Sequence, residues 1–115
     1  MKVIIAGGRD FSNYDLLCQK ADKILSRQNE VEIVSGAAKG ADKLGETYAL
    51  ERGYEVKRFP ADWGTFGNSA GYRRNTEMAV YADALIAFWN SRSNGTKHMI
   101  NIAKKQDLLV RVITY

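Results

Sequence analysis

Five short apolar runs recur along this chain, and each of the first four is followed by a segment with helical spacing. Lys2 to Ala6 reads KVIIA, Val31 to Ser35 reads VEIVS, and Glu55 to Phe59 is a third run closed by Pro60. Ala84 to Trp89 reads ALIAFW and Leu108 to Ile113 reads LLVRVI. Short β-branched runs suit strands buried on both faces of a parallel sheet. Between them, Tyr14, Leu17, Cys18, Ala21, Ile24 and Leu25 fall on one stripe of a helix spanning Tyr14 to Arg27, with Ser12 or Asn13 placed to cap it. A second helix is predicted from Ala41 to Arg52, stopped by Gly53. A third is predicted from Ala70 to Tyr81 and a fourth from Thr96 to Lys105. Ala61 to Gly71 and Asn90 to Gly95 read as loops.

The β-α-β-α-β-α-β-α-β order predicts an α/β fold, a three-layer Rossmann-like sandwich around a five-stranded parallel sheet. The expected strand order is 3-2-1-4-5. Residues 1–115 form one expected domain, since 115 residues suffice for one core.

In such sheets ligands bind beyond the carboxyl ends of the strands, near the point where the strand order reverses. Four segments are expected to converge there. Gly7-Gly8-Arg9-Asp10-Phe11 follows the first strand; its glycines permit close backbone approach, and Arg9 offers a planar fork suited to phosphate. A tight turn with a surface Arg9 is the plainer alternative. Ser35-Gly36-Ala37-Ala38-Lys39-Gly40-Ala41-Asp42 leads from the second strand into a helix, whose N-terminal amides attract anions. There Lys39 adds charge and Ser35 a hydroxyl, while Asp42 either caps the helix or contacts a ribose hydroxyl. The Walker spacing is absent.

The third segment is Ala61 to Met78. Arg74 is placed to reach the pocket, Arg73 faces solvent, and Asn75 continues a buried stripe and so requires a partner. Trp63 and Phe66 either stack on a base or cover the core beneath the loop. The fourth is Ser91 to Thr96, where Asn94, Gly95 and Thr96 open another helix. The sole histidine, His98, reads as a surface or helix-end residue, and Cys18 as an inert core thiol.

Cys18 is the only cysteine, so neither an intrachain disulfide nor a cysteine metal cluster can form. No His, Cys and carboxylate cluster suggests a metal, and no cofactor is expected. The net charge of +4 and pI near 9.3 favour anionic partners, yet no run of five like charges appears. No signal peptide or apolar span of bilayer length is visible, so a soluble cytoplasmic protein with no membrane partner is expected.

Taken together, Gly7-Gly8-Arg9-Asp10-Phe11, Ser35-Gly36 with Lys39-Gly40-Ala41-Asp42, Phe59-Pro60-Ala61-Asp62-Trp63, Ala70-Gly71 and Arg74-Asn75 with Met78 resemble the YspA, YpsA-related branch of the SLOG superfamily. The resemblance covers nearly the whole chain. It implies a Rossmann-like fold and binding of nucleotides or nucleotide-derived ligands such as an ADP-ribose-like molecule. It also implies kinship with LOG phosphoribohydrolases and with DprA, and pairing into a homodimer. The LOG enzymes carry Gly-Gly-x-Gly-Thr-x-x-Glu. Here Ser93-Asn94-Gly95-Thr96-Lys97-His98-Met99 keeps Gly-Thr and puts Met99 at the glutamate position.

The leading expectation is therefore binding or sensing of a phosphate-bearing nucleotide-like ligand. Gly7, Gly8, Arg9, Ser35, Gly36, Lys39, Gly40, Asp42, Arg74, Asn75, Asn94, Gly95 and Thr96 are the expected binding residues. An N-glycosidase acting on nucleoside monophosphates is the alternative; it needs a carboxylate, for which Asp10, Asp42 and Asp62 are the candidates. DprA-like nucleic-acid binding is a third, less favoured reading, because the basic residues form no stripe.

Overall fold

A computed structural model describes residues 1–115. Its strands are β1 (Lys2–Gly7), β2 (Glu32–Ser35), β3 (Glu55–Arg58), β4 (Ala84–Trp89) and β5 (Leu109–Thr114). They form one parallel sheet, as the alternation predicts, in the expected order β3-β2-β1-β4-β5. The order reverses between β1 and β4, whose register runs from Val3 opposite Ala84 to Gly7 opposite Phe88.

The helices are α1 (Tyr14–Leu25), α2 (Ala41–Arg52), α3 (Trp63–Phe66), α4 (Ala70–Tyr81) and α5 (Asn94–Lys105). Asn13 caps α1 by accepting from the Leu16 amide at 3.0 Å, and Gly53 ends α2 at φ 73°. The single turn α3 and the 3-10 turn Gly67–Ser69 occupy the segment expected to be loop. Asp62 starts that turn by accepting from the Thr65 amide at 3.1 Å. Helix α5 begins at Asn94, two residues before the expected start, because Ser93 accepts from the Thr96 amide at 3.3 Å.

Alternation along the central strands feeds two cores. Val3, Ile5, Ile33, Ile86 and Phe88 pack with Leu17, Ala21 and Tyr48 of α1 and α2. Ile4, Ala6, Val34, Leu85 and Ala87 pack on the opposite face with Met78, Met99 and Ala103 of α4 and α5. Tyr48 is fully buried, and its hydroxyl donates to Asp22 Oδ1 at 2.7 Å. Burial on both faces holds for β1 but not for the edges. Every β3 residue is exposed and β5 is mostly so, because the helices cover the three central strands first.

Candidate functional site

The turns after β1 and β2 are locked together by backbone. The Gly8 carbonyl accepts from the Phe11 amide and from the Ala41 amide, both at 3.2 Å. Gly40 has φ 79° and lies so close to Gly8 and Arg9 that a Cβ would stand 2.7 Å from the Arg9 carbonyl. Both constraints demand glycine at position 40.

Beside these turns, at the β1/β4 reversal, lies a cleft of about 540 Å³. Gly7, Gly8, Arg9, Asp10 and Asp42 line one side. Arg74, Asn75, Gly95 and Thr96 line the other, so most of the expected residues do converge. A smaller hollow of about 430 Å³ continues past Arg9 and Arg74 to Gly36 and Lys39. A hollow of about 740 Å³ between α1 and β5 is larger, but it is mainly apolar and holds none of the expected binding residues.

Arg74 is the most constrained charge of the cleft. Its Nε donates to Asn75 Oδ1 at 3.0 Å, Nη1 donates to the Gly36 carbonyl, and the Phe59 carbonyl lies 3.5 Å away. No carboxylate lies within ion-pair distance of it. Burial lowers its pKa, nearby Asp42 raises it, and Arg9 lowers it further. Arg9 is exposed and also forms no ion pair, so two unpaired guanidinium groups line the same two hollows.

Asp42 is 5% exposed. Burial pushes its carboxyl up to about 6, against the Ala38 amide, which donates to Oδ2 at 3.2 Å, and against the charge of Arg74. It does not cap α2: Gly40 occupies the cap position without a side-chain bond, and Asp42 reaches back into the turn. Asp10 Oδ1 accepts from the Tyr115 hydroxyl at 2.5 Å.

Four expected residues line neither hollow, among them Gly40, at the point where the two turns lock together. Ser35 is fully buried at the end of β2; its hydroxyl donates to Glu46 Oε2 at 2.6 Å and accepts from the Ala37 amide at 3.0 Å. It holds the turn, where Ala37 adopts φ 62°, and lines no hollow. Asp62 is spent as the α3 cap. Asn94 is exposed on the outer side of α5 and lines no hollow. Lys39 is exposed and borders only the smaller hollow.

Trp63 edges both hollows and is 51% exposed, whereas Phe66 turns away beneath Arg73, whose guanidinium lies 4.5 Å from the ring centre. Met99 is buried and lines the cleft, so this wall carries no carboxylate. Asn90, Asn68 and Tyr72 also line it, unforeseen from sequence. Asn90 Oδ1 accepts from the Arg92 and Ser93 amides at 2.8 and 2.9 Å, an Asx turn whose sequence signal is the Asn after a strand. His98, near the start of α5, is half-buried, stacks on Tyr72 with ring centres 4.3 Å apart and meets Asn75 at 3.2 Å.

The parallel sheet, its 3-2-1-4-5 order and glycine turns at the reversal define a Rossmann-like α/β protein. The chain belongs to the YspA, cpYpsA-related SLOG family (YAcAr), whose model matches residues 1–66. It is 33% identical over 119 residues to the Gene 61 protein of Mycobacterium phage D29, covering 95% of this chain and 93% of that one. Its fold is similar to DprA of Streptococcus pneumoniae, with TM-score 0.75 and 21% identity over 99% of this chain and 50% of that one. It is similarly close to DprA of Helicobacter pylori, a single-stranded-DNA-binding protein, with TM-score 0.74 and 18% identity over 100% of this chain and 66% of that one. The chain thus spans half to two thirds of the DprA chains.

Proposed function

We propose that the cleft binds a phosphate-bearing, nucleotide-like ligand. The observation that carries this reading is the pair Arg9 and Arg74, two guanidinium groups without carboxylate partners that line one cleft. A half-buried cation such as Arg74 is ordinarily paired, and the planar fork of both arginines is suited to phosphate oxygens. The start of α5 at Gly95 and Thr96, where the Thr96 amide is already capped by Ser93, adds a positive dipole end to the same wall. Asp42 stands opposite, with an Oδ1 that accepts no bond from the protein, and is suited to a ribose hydroxyl. Trp63 at the rim offers a face to a base.

Each charge-assisted contact contributes about 1.5–3 kcal/mol, and micromolar binding requires about 8 kcal/mol. The two arginines therefore supply roughly half, the remainder coming from the Gly95 end of α5, the ribose contact and stacking. Titration calorimetry with AMP and ADP-ribose on the wild type and Arg9→Ala tests the assignment. A loss of heat in the variant is expected; equal heats from both proteins remove Arg9 from the site.

Two other readings have specific support. Binding of single-stranded DNA is favoured by the fold shared with the Helicobacter pylori protein and by the net charge of +4. It requires an affinity that falls steeply with salt, and a flat salt dependence removes it. N-glycosidase chemistry is favoured by Asp42, whose carboxyl burial pushes up to about 6 at the cleft wall. Incubation with nucleoside monophosphates and chromatography for free base decides that reading.

A further inference from the structure

A chain of hydrogen bonds runs from the only histidine to the cleft. Arg74 Nε donates to Asn75 Oδ1 at 3.0 Å. That oxygen assignment leaves the Asn75 amide nitrogen facing the Gly95 carbonyl at 3.3 Å and His98 Nδ1 at 3.2 Å. Asn75 is 6% exposed, so all three contacts exclude most water. An amide nitrogen has two hydrogens and no acceptor. One hydrogen serves Gly95, and the other is left for His98, whose Nδ1 must then be an unprotonated acceptor. The imidazole is held in place by Tyr72, stacked at 4.3 Å and 30°.

We propose that His98 is a positioning residue: as the neutral tautomer with its hydrogen on Nε2, it fixes the Asn75 amide and thereby the Arg74 guanidinium and the Gly95 turn. The proposal rests on Arg74 being the anion-binding group of the cleft. The Asn75 amide cannot escape by rotating. A flip would set its nitrogen against Arg74 Nε and its oxygen against the Gly95 carbonyl, replacing two hydrogen bonds by two repulsions. A proton on Nδ1 therefore breaks the network. Burial of the imidazole opposes that proton first, and the charge of Lys105 on α5 adds to it, while Arg74 lies beyond Asn75 on α4. Tyr72 is the titratable group stacked on it from α4, and no carboxylate is within ion-pair distance. The β1 and β4 residues that pack against α5 are apolar, among them Ala6 and Ala87.

The test uses His98→Ala and His98→Asn. The asparagine puts an oxygen acceptor near the place of Nδ1 and does not titrate. Because the histidine is unique, imidazole nitrogen spectra report its tautomer without assignment. The expected result is the Nε2-protonated neutral form at pH 7, with the Arg74 Nε hydrogen protected from exchange in the wild type and His98→Asn but not in His98→Ala. AMP affinity is expected to fall about five- to tenfold in His98→Ala, the scale of one lost buried hydrogen bond, and to stay within about twofold in His98→Asn. Acidification through the histidine range is expected to weaken AMP binding in the wild type more than in His98→Asn. An Nδ1-protonated neutral form, or unchanged Arg74 protection in His98→Ala, overturns the proposal. If AMP fails to bind the wild type while Arg74 protection still follows residue 98, the nucleotide reading falls and the positioning role stands.

Discussion

Arg74 and Asp42 face each other across Gly36 without forming an ion pair. A Cβ at position 36 would stand 2.7 Å from Arg74 Nη1 and 2.7 Å from Asp42 Oδ2. The missing side chain is what lets a cation and an anion share this cleft while both stay available to a ligand. In a closed ion pair each would satisfy the other, and neither would retain free hydrogen-bonding capacity.

Gly36→Ala is therefore expected to force the two side chains apart. A methyl group wedged into packed surroundings costs about 1–3 kcal/mol. Urea denaturation should show that loss, and calorimetry should show weaker AMP binding in the protein that remains folded.

Asp42 gives the fold a distinctive pH response. Its carboxyl is raised from 3.8 to about 6 because burial disfavours the charged form. The native state thus holds a proton that the unfolded state has released between these values. The associated stability is fully present below pH 3.8 and is lost as pH rises through 6, by about 3 kcal/mol on the linkage relation. Asp42→Asn keeps an acceptor for the Ala38 amide and removes the charge. Thermal melts from pH 4 to 8 should show the variant more stable than the wild type above pH 6, with the difference shrinking towards pH 4.

Gly95 separates stability from binding. A Cβ there meets nothing within 4 Å, and the residue lies in the first turn of α5 with an ordinary backbone angle. Gly95→Ala should raise stability by up to about 1 kcal/mol through helix propensity and reduced freedom of the unfolded chain. The same methyl stands on the cleft wall and should weaken AMP binding. A higher melting temperature together with a weaker calorimetric affinity is the expected signature.

Tyr115→Phe removes the bond to Asp10 and keeps the edge contact with Phe11, whose ring centre lies 4.8 Å away. Tyr115 is 40% exposed, so the loss should be about 0.5–1 kcal/mol in denaturant titration. In the wild type, burial and Asp10 push the Tyr115 hydroxyl up to about 12. This contribution is present below pH 10 and is lost as pH rises through 12.

The order of elements was legible because strand and helix periods differ and the breakers are local. KVIIA and ALIAFW allow only buried strands, and Gly53 stops α2 as expected. Arg74 was also legible, since helical spacing next to the buried stripe aims it towards the strand ends. Ser35, Asp62 and Asn94 were not. Ser35 carries a suitable hydroxyl in a suitable turn, yet the pleat at the end of β2 points it at Glu46 of α2. Asp62 is captured by the Thr65 amide, and helix phase turns Asn94 outward.

The sequence by itself determined the alternating architecture and the glycine turns that bring Gly8, Gly36 and Gly95 to one end of a parallel sheet, while the pairing order of the strands is a tertiary property. The architecture and the turns follow from short-range patterning and from the right-handed crossover. Only the tertiary structure decided which charges stay unpaired. Arg74 meets Asp42 across Gly36, and His98 meets Asn75, through contacts between elements far apart in the chain. Desolvation and hydrogen-bond pairing depend on those long-range neighbours, which no local spacing encodes.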